Sequence, residues 1–195
     1  MEKATVNKLV IALAGMPGSG KSLVVNIARE KGYDIITMGD IVREETKRRG
    51  LELTPENAGT VMLDLRQKEG PDVIAKRCLP KIAATNNPRI LIDGIRSLDE
   101  VTEFQKHYPK LILIATHASP QTRFNRLYKR GRPDDAKNWQ TFHERDTREL
   151  TVGLGNAIAM AENMIINEGP IETTKQKITQ TLEKVEQEWK QQPYT

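Results

Sequence analysis

Five short apolar runs alternate with longer stretches of helical character along this chain of 195 residues. The runs have the length of buried strands, and turn and cap residues separate them from the helical stretches. This alternation predicts an α/β fold in which parallel strands are joined by crossover helices. The five predicted strands are Leu9–Ala14, Tyr33–Thr37, Arg89–Ile92, Leu111–Thr116 and Met164–Asn167.

Polar caps and prolines mark where several of the predicted helices begin. Thr54 precedes Pro55, which combines an N-cap with a proline at the first helical position, and this helix is expected to run to about Glu69. Ser97 and Glu100 have the spacing of a capping box. An open parallel sheet binds ligands beyond the carboxyl ends of its strands, so we expect the functional residues along that one edge.

A glycine-rich segment follows the first predicted strand and precedes a predicted helix. It has the form G-x-x-x-x-G-K-S and consists of Gly15, Met16, Pro17, Gly18, Ser19, Gly20, Lys21 and Ser22. In this context the pattern predicts a phosphate-binding P-loop, whose backbone N–H groups and following helix N-terminus face the phosphates. We expect Lys21 to contact the β- and γ-phosphates of ATP and the Ser22 hydroxyl to bind Mg²⁺. ATP and Mg²⁺ are therefore the predicted cofactors. The predicted fold is the three-layer P-loop NTPase/kinase fold, with a five-stranded parallel sheet and a small helical lid.

A carboxylate follows the third apolar run. Asp93 comes directly after the predicted strand and is followed by Gly94 and, two residues later, Arg96. In a chain with a P-loop, a carboxylate on a strand beside the P-loop strand favours a role as Mg²⁺ ligand. The alternative for Asp93 is a turn or cap residue. Gly94 would allow a ligand to approach the backbone closely, and Arg96 is then expected near the transferring phosphoryl group or the acceptor.

An acidic and a basic residue follow the second predicted strand. Asp40 and Arg43 are three residues apart, so they share a face at the start of a helix. Arg43 could bind an acceptor phosphate through two hydrogen bonds, and the alternative is a solvated surface charge. Asp40 has three interpretations: a helix N-cap, an acceptor-binding group or a general base.

Residues 119–150 are rich in arginine and are predicted to form the lid. The arginines are Arg123, Arg126, Arg130, Arg132, Arg145 and Arg148. Arginines on a mobile flap could close on the phosphates and shield the reaction from water. Arg130 and Arg132 flank the glycine at a helix end and are the first candidates, followed by Arg145. Arg123 and Arg126 are interpreted as a solvated helix face.

Composition narrows the class of partner and the compartment. The net charge is only +4 with scattered lysines and arginines, which suits anionic small molecules and argues against a nucleic-acid partner. With Cys78 as the single cysteine no internal disulfide can form, so a reducing compartment is expected. The apolar runs near the N-terminus are too short to span a bilayer. We therefore expect a cytoplasmic protein with small-molecule nucleotide substrates and no membrane association, and the oligomeric state stays open.

These motifs together resemble the nucleoside-monophosphate kinase group of P-loop kinases. Gly15–Ser22 matches its P-loop, and Met38–Arg43 resembles its acceptor-side segment. Asp93–Arg96 is similar to the Asp-Gly-Phe-Pro-Arg segment of adenylate kinases but is one residue shorter. Over nearly its whole length the chain looks closest to an archaeal family of adenylate-kinase-related proteins. Residues 161–169 instead resemble the C-terminal segment of dephospho-CoA kinases.

The resemblance implies one kinase domain over residues 1–195, with an acceptor-binding helical segment at about 40–85 and a lid at about 119–150. Transfer of the ATP γ-phosphoryl group to a nucleoside monophosphate is the leading hypothesis. Its catalytic candidates are Lys21, Arg96, Arg130, Arg132 and Asp40. Its acceptor-binding candidates are Asp40, Arg43 and Arg96, and its metal-binding candidates are Ser22 and Asp93.

Two other functions remain open at this stage. The first is a dephospho-CoA kinase or a similar enzyme with a hydroxyl acceptor, in which Asp40 would take the proton of the acceptor. The second is a nucleotide-dependent switch with slow ATP hydrolysis, which would use the same P-loop.

Overall fold

The parallel sheet has five strands in the computed structural model, which describes residues 8–132 and 135–191. The strands are β1 Leu9–Gly15, β2 Asp34–Thr37, β3 Arg89–Ile95, β4 Ile112–His117 and β5 Asn163–Ile166. They lie in the order β2-β3-β1-β4-β5, and every neighbouring pair is parallel. The predicted α/β class and the five-stranded parallel sheet are thus confirmed. The order also places β3 and β4 on either side of β1.

Helices connect the strands, and one more follows the last strand. They are α1 Lys21–Glu30, α2 Met38–Arg48, α3 Pro55–Glu69, α4 Val73–Ala84, α5 Leu98–His107, α6 Pro120–Arg130, α7 Trp139–Val152, α8 Leu154–Ala159 and α9 Ile171–Gln191. Among residues 8–132 and 135–191, none of the helices combines the length and the hydrophobicity of a membrane-spanning segment.

The central strand β1 shows why the structure has three layers. All seven of its residues are buried, and successive side chains point to opposite faces of the sheet. Leu9, Ile11 and Leu13 pack with residues of α1 and α9, whereas Val10 and Ala12 pack with residues of α2, α3, α4, α5 and α8. Burial of each large aliphatic side chain stabilises the folded state by roughly 1.5–3 kcal/mol. Because β1 contributes such side chains to both faces of the sheet, it helps to hold the helical layer on each side.

The predicted helix caps form, with one difference. The Thr54 hydroxyl oxygen accepts a hydrogen bond from the Asn57 N–H at 3.2 Å, and the Ser97 hydroxyl oxygen accepts one from Glu100 at 3.3 Å. The Glu100 carboxylate does not bond back to Ser97 as a full capping box requires. It accepts a hydrogen bond from the backbone N–H of Arg96 at 2.8 Å instead.

Strand β3 is longer than predicted, and this changes the setting of Asp93. The strand continues through Ile95, and Asp93 pairs in register with Leu13 of β1. The register shifts directly afterwards, where Gly94 adopts a positive φ of 108°. Such an irregularity fits glycine because the left-handed region is open to it. Asp93 is therefore a strand residue beside the P-loop strand, and its interpretation as a turn or cap residue is wrong.

Candidate functional site

The P-loop segment turns sharply between β1 and α1, and its glycines allow the turn. Gly18 and Gly20 have φ values of 81° and 109°, which side chains rarely adopt. A Cβ atom on Gly20 would overlap the amide nitrogen of Asn167, and one on Gly18 would lie 2.9 Å from the carbonyl oxygen of Arg123. The loop is therefore packed against α6 and against the end of β5, and both contacts depend on glycine.

Two polar residues at strand ends hold the loop from behind. The hydroxyl groups of Ser19 and Thr116 are 2.7 Å apart and both are buried. The Asn167 side-chain amide donates a hydrogen bond to the Ser19 carbonyl oxygen at 2.9 Å. Sequence reasoning missed Thr116 and Asn167 as contributors to this site. The available signal was their position, since each lies at the carboxyl end of a strand next to or near β1.

A cleft lies in front of the loop. This P-loop cleft has a volume of about 510 Å³ and is lined by six of the eight P-loop residues, by α1 and by α6. The two remaining residues, Met16 and Ser19, have buried side chains, so only their backbone could face a ligand here. Ser22 is exposed and lines the cleft, as its predicted role requires.

Lys21 lines this cleft. Its ammonium group donates a hydrogen bond to the Gly15 carbonyl oxygen at 2.5 Å. Desolvation lowers the pKa of Lys21 from 10.5 to about 8, while the nearby Asp93 carboxylate acts in the opposite direction. Because the ammonium group of this lysine is poorly solvated, an anionic ligand would stabilise its charged form. Phosphate oxygens could provide the contacts that water does not.

Asp93 has the features of a cation ligand. Burial raises the pKa of its carboxyl group, and Lys21 and Arg96 oppose that shift. One carboxylate oxygen, Oδ1, is buried and has no hydrogen-bond partner among the described residues. A buried oxygen without a partner is costly, and a hard cation would satisfy it. Asp93 and the Ser22 hydroxyl together fit a Mg²⁺ ion that keeps several water ligands.

A second cleft opens on the other side of β3. This α2–α3 cleft has a volume of about 350 Å³ and lies between α2, α3 and the end of β3, with Arg43 and Arg66 in its wall. The two clefts meet at six residues, called the junction residues below. They are Lys21, Asp93, Gly94, Arg96, Arg145 and Glu149.

The predicted acceptor-side residues occupy the α2–α3 cleft and its surroundings. Arg43 lines the cleft, and its guanidinium forms an ion pair with Asp40 on the same face of α2. Each of these side chains is about half exposed. Thr37, not Asp40, is the N-cap of α2, and Asp40 lies in the first turn. The N-cap interpretation of Asp40 is therefore wrong. Asp40 lines neither cleft, and its roles in acceptor binding or proton transfer stay predictions.

Two buried carboxylates fix the arginines around the junction. Glu149 of α7 is 5% exposed and forms an ion pair with Arg96, which is thereby linked to the lid segment. Glu100 is fully buried and accepts a hydrogen bond from Arg66 at 2.5 Å. Burial raises the pKa of Glu100, and the Arg66 guanidinium opposes that shift. The sequence predicted Glu100 only as part of a capping box and did not single out Glu149, because a glutamate within a helix is usually a solvated residue.

The predicted lid candidates surround the P-loop cleft. Arg130 and Arg132 both line it, and the Arg130 guanidinium binds the Asp135 carboxylate through two hydrogen bonds of 2.8 and 2.5 Å. The backbone N–H of Arg132 donates to the same carboxylate at 3.0 Å. Arg145 belongs to the junction. Residues 133–134, which lie within the predicted lid, fall outside the described residues.

Comparison with known proteins places this geometry in a family. Residues 14–143 match a family described as AAA domain. A UPF0200 protein of Hyperthermus butylicus is 50% identical over 166 residues, which cover 85% of this chain and 89% of that protein. A second UPF0200 protein, from Methanocaldococcus jannaschii, is 48% identical over 179 residues, covering 91% and 90%. The chain belongs to the AAA domain family and to the UPF0200 proteins. The predicted archaeal family is thereby confirmed, and the finer resemblance to adenylate kinases and dephospho-CoA kinases stays a prediction.

Solved kinase structures share the fold at low sequence identity. A gluconokinase from Sinorhizobium meliloti superimposes with a TM-score of 0.59 at 16% identity, covering 96% of this chain and 99% of that chain. A shikimate kinase from Acinetobacter baumannii, solved with shikimate, has a TM-score of 0.56 at 16% identity, covering 91% and 94%. These similarities confirm the P-loop kinase fold of the UPF0200 chain and leave its substrate open.

The interpretation of Arg123 and Arg126 as a solvated face is wrong. Arg123 is 3% exposed and binds the Asp146 carboxylate through two hydrogen bonds of 2.8 and 2.5 Å. Arg126 donates to the carbonyl oxygen of Asn167 at 2.9 Å and lines the P-loop cleft. Arg123 is buried and Arg126 is partly buried because α6 packs over the P-loop, a contact between distant segments that helical periodicity does not reveal.

Proposed function

We propose that this protein is a kinase that transfers the γ-phosphoryl group of ATP to a small acceptor carrying a phosphate, most simply a nucleoside monophosphate. The observation that carries the proposal is the meeting of the P-loop cleft and the α2–α3 cleft at the junction residues. Phosphoryl transfer requires that two substrates lie within reacting distance of each other, and two clefts with a shared wall meet that requirement. A switch that only hydrolyses nucleotide has no need of the second cleft.

The P-loop cleft would hold ATP. Lys21 would neutralise charge on the β- and γ-phosphates, and the backbone N–H groups of the loop would face their oxygens. Ser22 and Asp93 would hold Mg²⁺, which supplies charge neutralisation between the β- and γ-phosphates when it is bound. Arg130 and Arg132 would cover the phosphates from the opposite side and exclude water.

The α2–α3 cleft would hold the acceptor, and its charge supports an anionic one. Six cationic side chains line it against three carboxylates. The cations are Lys21, Arg43, Arg66, Arg96, Arg145 and Arg148, and the carboxylates are Asp93, Glu100 and Glu149. The excess of positive charge favours a ligand with a net negative charge. A phosphate acceptor is largely deprotonated at neutral pH, its second pKa being about 6, so its oxygen can attack without a strong base. Arg43 and Arg96 would orient it.

A hydroxyl acceptor is the second candidate, as in a dephospho-CoA kinase. Asp40 beside Arg43 supports it, since a hydroxyl acceptor must lose its proton during transfer and a carboxylate could take it. The names of the two structural neighbours, a gluconokinase and a shikimate kinase, also refer to substrates that carry hydroxyl groups.

A panel of acceptors tests the proposal. Protein, ATP and Mg²⁺ are incubated with AMP, GMP, CMP or UMP, with dephospho-CoA, or with no acceptor, and products are separated by ion-exchange chromatography. We expect a nucleoside diphosphate to form with at least one monophosphate, faster than ATP is hydrolysed without acceptor. Turnover with dephospho-CoA alone would replace the proposal by the second candidate. Hydrolysis unaffected by every acceptor would support the switch.

A matched pair of lysine variants controls this assay. Lys21→Ala removes the proposed phosphate contact and should lower kcat by at least about 100-fold, the scale of one preorganised electrostatic contact. Lys31→Ala removes a lysine just beyond the other end of α1, whose ion pair with Glu183 lies on the surface, and should leave kcat unchanged. A folded Lys21→Ala protein with normal turnover would contradict the P-loop assignment.

A further inference from the structure

One buried arginine joins the P-loop to the helix that carries two junction residues. The Arg123 guanidinium donates a hydrogen bond to the P-loop carbonyl oxygen of Pro17 at 3.2 Å and another to the carbonyl oxygen of Ala118 at the end of β4 at 3.1 Å. Its Nη1 and Nη2 groups also donate hydrogen bonds to the two carboxylate oxygens of Asp146 on α7. The guanidinium also lies over the ring of Phe142, 4.9 Å from its centroid. Its Nε, Nη1 and Nη2 nitrogens therefore all donate hydrogen bonds in a fixed geometry.

Asp146 lies close in sequence to two junction residues on the same helix, α7. Arg145 and Glu149 lie one residue before and three residues after Asp146 on the same helix, and both face the two clefts. A helix is a rigid element over this length, so a contact that fixes the position of Asp146 also fixes the backbone positions of Arg145 and Glu149. The α6 backbone at Arg123 lies directly against Gly18, which makes the contact between the P-loop and α6 continuous.

We infer that Arg123 and Asp146 are positioning residues that transmit the conformation of the P-loop to α7. When ATP occupies the P-loop, the Pro17 peptide and the Arg123 guanidinium adjust together, and Asp146 moves α7 with them. Arg145 and Glu149 then take their places beside the transferring phosphoryl group. Neither Arg123 nor Asp146 contacts a substrate itself. The inference rests on the proposed function in one respect, namely that ATP binds in the P-loop cleft.

Trp139 provides an optical readout of this coupling. It is the first residue of α7, and its ring centroid lies 5.3 Å from that of Phe124 on α6 and 5.2 Å from that of Phe142. Its side chain is partly exposed, so a shift of α7 relative to α6 changes its environment. The other tryptophan of the chain, Trp189, lies in α9. A Trp189→Phe parent therefore reports on α7 alone.

ATP is titrated into the Trp189→Phe parent and into the same protein carrying Arg123→Lys or Asp146→Asn. Calorimetry measures ATP binding, and the fluorescence emission of Trp139 measures the response of α7. We expect ATP to change Trp139 emission in the parent. In both variants the change should fall by at least about half, while the dissociation constant for ATP rises less than about threefold. The matched control is Glu144→Gln, which removes an exposed charge from α7 and should leave the change intact.

Different outcomes separate this inference from the proposed function. ATP binding with an undiminished Trp139 response in both variants would overturn the inference and leave the kinase proposal standing. A Trp139 response to ATP that falls in both variants, without phosphoryl transfer to any acceptor, would support the inference and refute the kinase proposal. No ATP binding by the parent would refute both.

A second pair of measurements covers variants that fold poorly. Hydrogen exchange of wild-type α7 amides should slow on addition of ATP, and an unchanged rate would overturn the inference. With an active acceptor, Asp146→Asn should lower kcat by about tenfold or more, because displaced positioning costs rate more than it costs binding. Equal effects on kcat and on the ATP dissociation constant would indicate a purely structural role.

Discussion

Replacement of Gly20 by alanine is the sharpest test of how the P-loop is held. The new Cβ atom would overlap the Asn167 amide nitrogen and displace that side chain. Asn167 donates to the Ser19 carbonyl oxygen at 2.9 Å and accepts hydrogen bonds from Arg126 at 3.2 Å and from Thr174 at 3.1 Å. Each bond contributes about 0.5–1.5 kcal/mol, and alanine at a φ of 109° adds about 1–2 kcal/mol of strain. We expect Gly20→Ala to lower the free energy of unfolding by about 3–6 kcal/mol.

Two glycine variants separate strain from displacement. Gly50 has a φ of 72° and nothing within 4 Å of an added Cβ, so Gly50→Ala isolates the backbone strain and should cost about 1 kcal/mol. Gly59 lies in α3 with nothing near an added Cβ, so Gly59→Ala should stabilise the protein by about 0.5–1 kcal/mol. Urea denaturation measures all three. A loss for Gly20→Ala no larger than that for Gly50→Ala would refute the argument that Asn167 supports the P-loop.

Three further predictions concern the charged groups of the site. Because the pKa of Lys21 is about 8, the ATP association constant should fall by up to about tenfold per pH unit above pH 8 in a calorimetric pH series. Between pH 8 and the ordinary lysine pKa of 10.5, Lys21 is largely protonated in the unfolded chain and largely neutral in the folded protein. The contribution of Lys21 to the free energy of unfolding should therefore rise with pH in this range. Lys21→Ala should abolish the pH dependence of ATP binding and this pH dependence of stability. Arg43→Ala and Arg96→Ala should raise the acceptor KM at least about tenfold and the ATP dissociation constant much less. Lys47→Ala, at an exposed position of α2, is the control. An equal loss of affinity for both ligands would show that these arginines do not belong to the acceptor site. Asp40→Asn should lower kcat only modestly with a monophosphate acceptor, and a loss beyond about 100-fold with ATP binding intact would indicate a general base and a hydroxyl acceptor.

Local patterns were sufficient to predict the fold. The positions of the strands along the chain, the P-loop pattern and the helix N-caps depend on neighbours within a few residues, so Thr54 and Ser97 cap their helices as predicted. Asp93 was identified as a candidate ligand because its position after an apolar run places it at the edge where parallel strands end. The bulge that extends β3 beyond Asp93 was not predicted, since it depends on the register with β1.

Contacts between distant segments could not be predicted. Asn167 reaches Ser19 across 148 residues of sequence, and Arg96 pairs with Glu149 across 53. Arg123 has the spacing of a surface residue on a charged helix, yet it is buried against α7, where it pairs with Asp146. The spacing within α6 contains no information about this partner. In each case the deciding contact is formed by tertiary packing, which helical periodicity does not encode.

The central claim is that an ATP site and an acceptor site meet at Lys21 and Arg96. The most direct test is the binding of a single compound in which ATP and the most active monophosphate are joined through one continuous phosphate chain. Because the second end binds without a further loss of translational freedom, its dissociation constant should lie at least about tenfold below that of ATP. Arg43→Ala should remove this advantage and leave ATP binding unchanged. A linked compound that binds no more tightly than ATP alone would contradict the claim that the two clefts form one reaction site.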